Sequence, residues 1–135
     1  MVSQAALNRL DDPLVNGIEI KTSSILKAGL GAYTTYPLPI HTLLGLYRGE
    51  VLSSAQVLER YPTGHGDYLM HVRGDVFHDA RDPNQSNWLR YINSPYKTGK
   101  PPNCRVEDGV IRTIRHIRSN TELTYAYGRN YKWGP

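Results

Sequence analysis

The sequence of 135 residues contains a single cysteine, Cys104, and no apolar run of the roughly 18 residues that a membrane helix needs. One cysteine excludes an internal disulfide and a zinc site built mainly on thiolates, and it favours a reducing compartment. The first seven residues have neither the basic start nor the apolar stretch of a secretory signal. We therefore expect a protein that is neither secreted nor held in a membrane.

Signatures of several common enzyme classes are also missing. The five histidines have no short-range His or Cys partner at zinc-site spacing, so no metal site is expected. No Ser/His/Asp arrangement, Walker loop or paired-carboxylate signature is present. The 16 Lys+Arg residues against 12 Asp+Glu give a net charge of +4, but no groove-reading motif accompanies this charge. Direct nucleic-acid binding is therefore not expected.

The length and the 39% hydrophobic content predict one domain with its own core. Residues 1–16 show no clear period and are interpreted as a loosely attached N-terminal arm. The domain proper is placed at residues 17–135.

Short alternating segments between glycine-containing turns predict a mostly β fold. Asp108-Gly109 suits a two-residue hairpin turn. Ser53 and Gln56 form a capping box for one short helix, and a second is predicted from Asp82 to Arg90. The predicted strands are residues 17–21, 43–52, 68–72, 76–79, 105–107 and 110–115.

The segment from Glu122 to Gly128 contains Tyr125 and Tyr127, which are two residues apart. Side chains at this spacing in an extended strand point to the same face, so the two phenols are expected to share one space. A packed aromatic pair in an ordinary strand would explain the same pattern. Taken alone, Gly29-Leu30-Gly31 is a turn where the main chain can approach a ligand.

Six short motifs occur in one order along the chain. They are Gly29-Leu30-Gly31, Tyr47-Arg-Gly-Glu50, Tyr68-Leu69 leading to Asp79-Ala80, Arg90-Tyr-Ile-Asn93, Pro102-Asn103, and Glu122-Leu-Thr-Tyr-Ala-Tyr-Gly128. Together they resemble the SET-domain family of protein-lysine methyltransferases over about residues 18–133. The run from Asn87 to Asn93 resembles the PR subgroup in particular. The resemblance implies several small curved sheets with short helices and a C-terminal pseudoknot, in which the C-terminal segment passes under a loop of the preceding chain.

The resemblance also implies S-adenosyl-L-methionine as cofactor and an exposed protein lysine, expected on a histone tail, as substrate. Tyr127 matches the catalytic tyrosine of the family, and Tyr47 and Tyr125 would line the channel for the lysine. Trp133, or Tyr131, would cover the adenine or close the channel. The implied cofactor-binding residues are Leu30, Gly31, Ala32, Tyr68, Arg90, Asn93, Ser94 and Trp133.

The chemistry of methyl transfer to lysine suits these residue types. The amine attacks the sulfonium methyl in line, so lysine and cofactor must be held in alignment at attack distance. A tight aromatic channel disfavours the protonated amine, whose free pKa is about 10.4. Tyrosine offers an apolar wall and one hydroxyl, and we expect Tyr127 to orient the amine and not to act as a base. Tyr125 occupies the phenylalanine/tyrosine switch of the family, which predicts mainly mono- or dimethylation.

The sequence departs from the family pattern at three points. Ser94 stands where many SET enzymes have histidine, and the gap from Asn93 to Pro102-Asn103 is longer than usual. The cysteine-rich flanking segments are absent, so residues 131–133 or a partner chain would complete the pocket. Small stand-alone SET proteins of viral or microbial type also lack these flanking segments, and some form homodimers.

Three functions follow from these observations. The first is an active protein-lysine methyltransferase, nuclear if the protein is eukaryotic or acts on host chromatin, and otherwise cytoplasmic. The second is a PR-like interaction module with weak or no catalysis, which would bind S-adenosylmethionine poorly. The third is a basic nucleic-acid-binding domain, which would bind DNA in a strongly salt-dependent way without cofactor.

Overall fold

Short strands dominate the molecule, as the sequence predicts. The structure is a computed structural model that describes residues 2–96 and 98–127. Few helical turns accompany the strands, which confirms the mostly β fold. The strands within this part of the chain are β1 Ile18–Thr22, β2 Leu30–Thr34, β3 Leu43–Leu46, β4 Glu50–Leu52, β5 Leu69–Arg73, β6 Val76–Asp79, β7 Cys104–Glu107 and β8 Val110–Thr113.

The strands form three small antiparallel sheets. The sheets are β1-β2, β3-β8-β7 and β4-β6-β5. In the first, Ile18 pairs with Thr34 and Thr22 with Leu30 without a register shift. The two three-stranded sheets each contain one hairpin, β5–β6 in one and the predicted β7–β8 in the other. In the β7–β8 hairpin, Asp108 and Gly109 have φ angles of 50° and 83°, the left-handed pair that a type I′ turn requires.

The predicted strand at residues 43–52 is in fact two strands in different sheets. β3 pairs with β8, whereas β4 pairs with β6. Tyr47 lies at the break, and its main-chain N–H donates to the Gly109 carbonyl at 2.8 Å. A Cβ at Gly49 would overlap the main chain of Asp79, so glycine allows the chain to cross there. The break places Tyr47 between the two sheets.

Two α-helices are present in the described chain, α1 at Gln4–Arg9 and α2 at Ser54–Arg60. α2 begins with the predicted capping box, in which Ser53 and Gln56 satisfy each other's main-chain N–H groups. Arg60 at its end bridges Glu50 of β4 and the buried Asp79 of β6, at 2.8 and 3.0 Å. These ion pairs hold α2 against the edge of the third sheet. No helix in the described residues is long and apolar enough to cross a membrane.

The second predicted helix is wrong in part, because two 3₁₀-helices replace one continuous helix. They span Pro83–Gln85 and Trp88–Tyr91, with Ser86 and Asn87 extended between them. The Asn87 side chain accepts the Leu89 N–H, as an N-cap does, and therefore starts a new helix. Its amide nitrogen donates to the Leu46 carbonyl of β3 at 2.9 Å. This tertiary contact overrides the local helix signal.

The N-terminal segment packs against the domain, so the prediction that it is loosely attached is wrong. Leu7 and Leu10 are buried. The indole of Trp88 donates to the Leu10 carbonyl at 2.9 Å, and Arg48 pairs with Asp11 at 2.8 Å. Another 3₁₀-helix, Pro13–Asn16, leads into β1. The domain boundary at residue 17 stays a prediction.

The C-terminal segment was predicted as a strand, but it crosses the molecule as a series of single bridges. Glu122 bridges Tyr33 of β2 in an antiparallel sense, whereas Thr124 bridges Asn93 and Tyr125 bridges Cys104 in a parallel sense. Asn93 and Cys104 stand at the two ends of the loop at 94–103. The segment is therefore held to both ends of one preceding loop, which is the arrangement that the expected pseudoknot requires.

Candidate active site

The aromatic part of the candidate site is the tyrosine cluster, which consists of Tyr47, Tyr125 and Tyr127. The rings of Tyr125 and Tyr127 are 4.8 Å apart with an angle of 57° between their planes. Their i, i+2 spacing predicts this neighbourhood. Tyr47 and Tyr125 are buried, at 3% and 6% exposure, and Tyr127 is half-buried. Tyr47 and Tyr125 belong to the same core cluster, although about eighty positions separate them in the chain.

Two hydroxyl groups of this cluster donate to main-chain carbonyls. The Tyr47 hydroxyl donates to the Tyr68 carbonyl at 2.8 Å, and the Tyr127 hydroxyl donates to the Ile92 carbonyl at 3.3 Å. A phenol has one proton but two acceptor lone pairs. A phenol oxygen that donates in this way can in principle also accept a hydrogen bond from a bound group.

Burial raises the pKa of Tyr47 well above its ordinary value of 10.0, and the neighbouring Tyr127 phenol raises it further. The positive charge of Arg90 opposes this shift but does not cancel it. Tyr47 is consequently a neutral phenol across the physiological range, able to donate and accept hydrogen bonds. It is not a candidate for a general base.

Arg90 and Tyr68 lie together beside the tyrosine cluster. The guanidinium of Arg90 is 4.1 Å from the centre of the Tyr68 ring, within the range of a cation–π contact. Its Nε donates to the Ala80 carbonyl at 2.9 Å. The carbonyl of Tyr68 accepts both the Tyr47 hydroxyl and the Ala80 N–H. A single network thus joins these two predicted cofactor-binding residues to Tyr47.

Leu30, Gly31 and Ala32 belong to β2, so the prediction of a glycine turn at 29–31 is wrong for its last two residues. Gly29 has a φ of 76°, which requires a glycine just before the strand. Gly31 serves a different purpose, because a Cβ there would collide with the carboxylate of Glu122. The glycine makes room for a protein side chain.

The outer edge of β2 carries a main-chain donor, the Ala32 N–H, that has no partner among residues 2–96 and 98–127. Thr34 N–H donates to the Thr121 carbonyl, and the Ala32 carbonyl accepts Leu123 N–H at 2.8 Å. Since hydrogen-bonding direction alternates along an antiparallel strand, the Ala32 N–H also points away from β1. The reciprocal bond to the Leu123 carbonyl is not made within the described part of the chain. Ala32 is fully buried, so its N–H is a donor that native structures rarely leave unused.

Asn93 links this strand edge to the tyrosine cluster. Its Nδ2 donates to the Leu30 carbonyl at 2.9 Å and lies 3.2 Å from the Glu122 carboxylate. Its main-chain carbonyl accepts Tyr125 N–H at 3.2 Å. Ser94 follows, half-buried, with its hydroxyl accepting Tyr96 N–H at 3.2 Å. Trp133 and Tyr131, the remaining predicted site residues, lie outside the described residues.

The functional candidate missed by sequence reasoning is Glu122. Its carboxylate accepts from the Ser23 hydroxyl at 2.6 Å and from the Ser24 hydroxyl and N–H at 2.7 and 3.0 Å. With Asn93, these residues form the carboxylate cluster. Burial tends to raise the pKa of Glu122, but the donors from Ser23, Ser24 and Asn93 outweigh it, and its pKa lies below the ordinary 4.5. The serines are about a hundred residues away, so only its place in the final motif could have drawn attention to it.

Within the described residues, no group of three His, Cys, Asp or Glu side chains is placed to hold a metal ion. Burial raises the pKa of the Cys104 thiol to about 12, so this cysteine is not a thiolate.

Small antiparallel sheets, with a C-terminal segment tied to both ends of one loop and carrying two site tyrosines, define a SET-like domain. The family pattern described as the PR domain of PR domain zinc finger protein 2 matches residues 18–133. The chain belongs to this PR-domain family of SET-related proteins.

A curated relative is histone-lysine N-methyltransferase set-17 of Caenorhabditis elegans. It is 31% identical over 115 residues, a region that covers 83% of this chain and 41% of the relative. The chain therefore spans less than half of the length of that protein.

Proposed function

We propose that this protein is an S-adenosylmethionine-dependent protein-lysine N-methyltransferase that acts on a histone tail. The observation that carries the proposal is the path of the segment 122–127. It joins Asn93 and the edge of β2, where the Ala32 N–H has no partner among the described residues, to the tyrosine cluster. A transferase of this kind needs a cofactor site and a lysine site side by side. The family membership and the name of the relative support the same reaction.

The polar groups at the β2 edge fit the amino-acid end of S-adenosylmethionine. The buried Ala32 N–H is a donor suited to a carboxylate. The Oδ1 of Asn93, which accepts no hydrogen bond within the described residues, is suited to an ammonium group. Ser94, the residue after Asn93, and the Arg90–Tyr68 pair, which lies beside the tyrosine cluster, would flank the bound cofactor. When bound, the cofactor supplies a methyl group on a positively charged sulfur.

The tyrosine cluster would receive the lysine. A free lysine amine has a pKa of about 10.4, so its ammonium form must release a proton to the solvent before the amine can attack. Burial among Tyr47, Tyr125 and Tyr127 next to a positive sulfur disfavours the ammonium form and lowers that pKa. The Tyr127 hydroxyl donates a hydrogen bond to the Ile92 carbonyl. Its oxygen can accept a hydrogen bond from an N–H of the amine and so turn the nitrogen lone pair toward the methyl group. Tyr127 thus orients the amine without taking its proton.

The expected histone substrate is basic, whereas the domain has a net charge of +4. Local acidic residues would have to attract it. Glu50 is already paired with Arg60, and Asp75 accepts the Ser54 N–H at 2.8 Å. Glu59, which is exposed and has no ion-pair partner among the described residues, is therefore the better candidate for contacting a basic peptide. Asp67 is also exposed, but its carboxylate lies 3.7 Å from the ring of His65. A substrate of this type places the activity in the nucleus, on the chromatin of the protein's own cell or of a host.

Mono- and dimethylation are the proposed products, because Tyr125 occupies space in the lysine site. Its buried ring contacts Tyr127. A methylated amine must rotate before a second or third transfer, and a hydroxyl at this position hinders the rotation. Mass spectrometry of the products tests this, since Tyr125→Phe should shift them toward trimethyl-lysine. Trimethyl-lysine as the main early product of the unchanged protein would contradict the proposal.

The experiment that tests the activity is transfer of labelled methyl from S-adenosylmethionine to core histones and histone-tail peptides. Tyr127→Phe should reduce the rate at least about a hundredfold, the order seen when one oriented polar group is removed from an active site. Tyr36→Phe is the matched control, because its hydroxyl is exposed and lies 3.5 Å from the Val15 carbonyl, outside the tyrosine cluster. It should retain full activity.

Two other results would change the conclusion. Tight cofactor binding without transfer to any histone would replace the histone by another protein substrate. Neither transfer nor cofactor binding would overturn the enzyme and leave a PR-like interaction module.

A further inference from the structure

The carboxylate of Glu122 organises two otherwise separate pieces of chain. Oε1 accepts the N–H and hydroxyl of Ser24, and Oε2 accepts the Ser23 hydroxyl and faces the Asn93 amide at 3.2 Å. Hydrogen bonds to a carboxylate are about twice as strong as those between neutral groups. The carboxylate therefore fixes the loop before β2 and the side chain of Asn93 in one arrangement.

The orientation of the Asn93 amide follows from this contact. The two ends of an asparagine amide are similar in shape, and their assignment depends on the partners. Here one atom faces two acceptors, the Leu30 carbonyl and Oε2 of Glu122, so this atom must be the NH₂ group. Oδ1 is left without a donor from the described residues. The carboxylate at position 122 and the Leu30 carbonyl, which can both only accept, together hold the amide in the orientation that directs Oδ1 toward a ligand.

The neighbouring glycine supports the importance of this contact. Gly31 has a main-chain conformation that alanine accepts, yet a Cβ at this position would overlap the Glu122 carboxylate. Ser23 Cα, at 3.3 Å from the same position, closes the other side. β2 therefore gives up a side chain at this position so that the carboxylate can reach the serines and Asn93.

We propose that Glu122 is a positioning residue for S-adenosylmethionine, which sets the amide of Asn93 and the main chain at Ser24 without touching the cofactor. This inference rests on the proposed function. It assigns to Glu122 the ordering of the binding edge and leaves the methyl transfer itself to the tyrosine cluster.

The test compares Glu122→Gln with the unchanged protein. A glutamine has the same shape, but its NH₂ group must face either the Ser24 N–H or the Asn93 NH₂, so one of the two contacts is lost. We expect the dissociation constant for S-adenosylmethionine, measured by calorimetry, to rise at least about tenfold. Glu107→Gln is the control, because this carboxylate is 79% exposed and far along the chain on β7. It should bind as the unchanged protein does.

A second readout needs neither cofactor nor activity. In NMR spectra of the cofactor-free protein, Glu122→Gln should move the side-chain amide signals of Asn93 and speed up hydrogen exchange of the Ser24 N–H. If both stay unchanged, the proposal is overturned. Failure of the unchanged protein to bind S-adenosylmethionine would instead overturn the proposed function, and the NMR result would still decide whether Glu122 orders Asn93.

A smaller change in the same contact keeps the proposal testable if Glu122→Gln fails to fold. Ser24→Ala removes one hydroxyl that lies 2.7 Å from Oε1 and keeps the main chain. It should weaken cofactor binding about threefold, less than Glu122→Gln. Unchanged binding in Ser24→Ala together with unchanged Asn93 signals would overturn the proposal.

Discussion

The two ends of the segment 122–127 achieve order by different means. The carboxylate cluster is polar and only partly buried, and one acceptor-only group gathers donors from two distant parts of the chain. The tyrosine cluster is aromatic and mostly buried, and the hydroxyls of Tyr47 and Tyr127 donate hydrogen bonds to main-chain carbonyls. Among the described residues, the first arrangement leaves an amide oxygen and a main-chain N–H for a zwitterionic ligand, whereas the second offers phenol groups of a kind that suits an amine. In the proposed function, the cofactor would be recognised at one end of this short segment and the substrate oriented at the other.

Asn103 holds this segment at its middle, and its loss should have the largest effect on stability. Its side chain donates to the Glu122 carbonyl at 2.9 Å and accepts Thr124 N–H at 2.8 Å. We expect Asn103→Ala to lower the free energy of unfolding by about 2–4 kcal/mol, because each unpaired buried main-chain group costs roughly 1–3 kcal/mol. Denaturant unfolding measures the change. Asn84→Ala, at an exposed asparagine, should differ from the unchanged protein by less than about 0.5 kcal/mol.

Gly31→Ala should have the next largest effect, and it acts at the carboxylate end alone. The new Cβ overlaps the Glu122 carboxylate, so we expect a loss of about 1–3 kcal/mol in unfolding free energy, as for other overpacked sites. In a Glu122→Ala background the same substitution should cost at most about half as much. Equal costs in both backgrounds would contradict the contact between Gly31 and Glu122.

Lowering the pH should reduce the stability that the carboxylate cluster contributes, by less than Gly31→Ala does. Because the pKa of Glu122 is lower in the folded protein, its contribution to stability is complete above the ordinary value of 4.5 and is lost as the pH falls through the lowered value. Glu122→Gln should therefore show a shallower decline in melting temperature below about pH 4.5. The exposed Glu107→Gln serves again as control and should keep the slope of the unchanged protein.

Local sequence signals predicted the elements that depend on neighbours in the chain. The capping box at Ser53 and the left-handed turn at Asp108 and Gly109 are examples, since their partners lie within a few residues. The predictions are wrong where contacts between distant parts of the chain determine the local structure. Asn87 interrupts a helix because Leu46 accepts its amide, and the N-terminal segment is held by Trp88.

The residues of the candidate site also fall into those that the sequence predicts and those that depend on distant contacts. The motif order and the tyrosine spacing pointed to Tyr125, Tyr127 and Asn93, which the structure brings onto one segment and its bridge partner. The role of Glu122 was not predictable, because its serine partners are 98 and 99 residues away and serine has no distinctive pattern. The sequence predicts that the main chain at Gly31 approaches the cofactor, and this stays a prediction. What the sequence does not reveal is that a Cβ at Gly31 would overlap the carboxylate of Glu122.

The most direct test of the division between the two ends is to measure cofactor affinity and single-turnover methyl transfer for Tyr127→Phe and Glu122→Gln in parallel. Tyr127→Phe should lose at least about a hundredfold in rate with an unchanged dissociation constant for S-adenosylmethionine. Glu122→Gln should lose at least about tenfold in affinity and recover most of its rate at saturating cofactor. If both variants lose the same property, or if the unchanged protein neither binds S-adenosylmethionine nor transfers a methyl group, the account is contradicted.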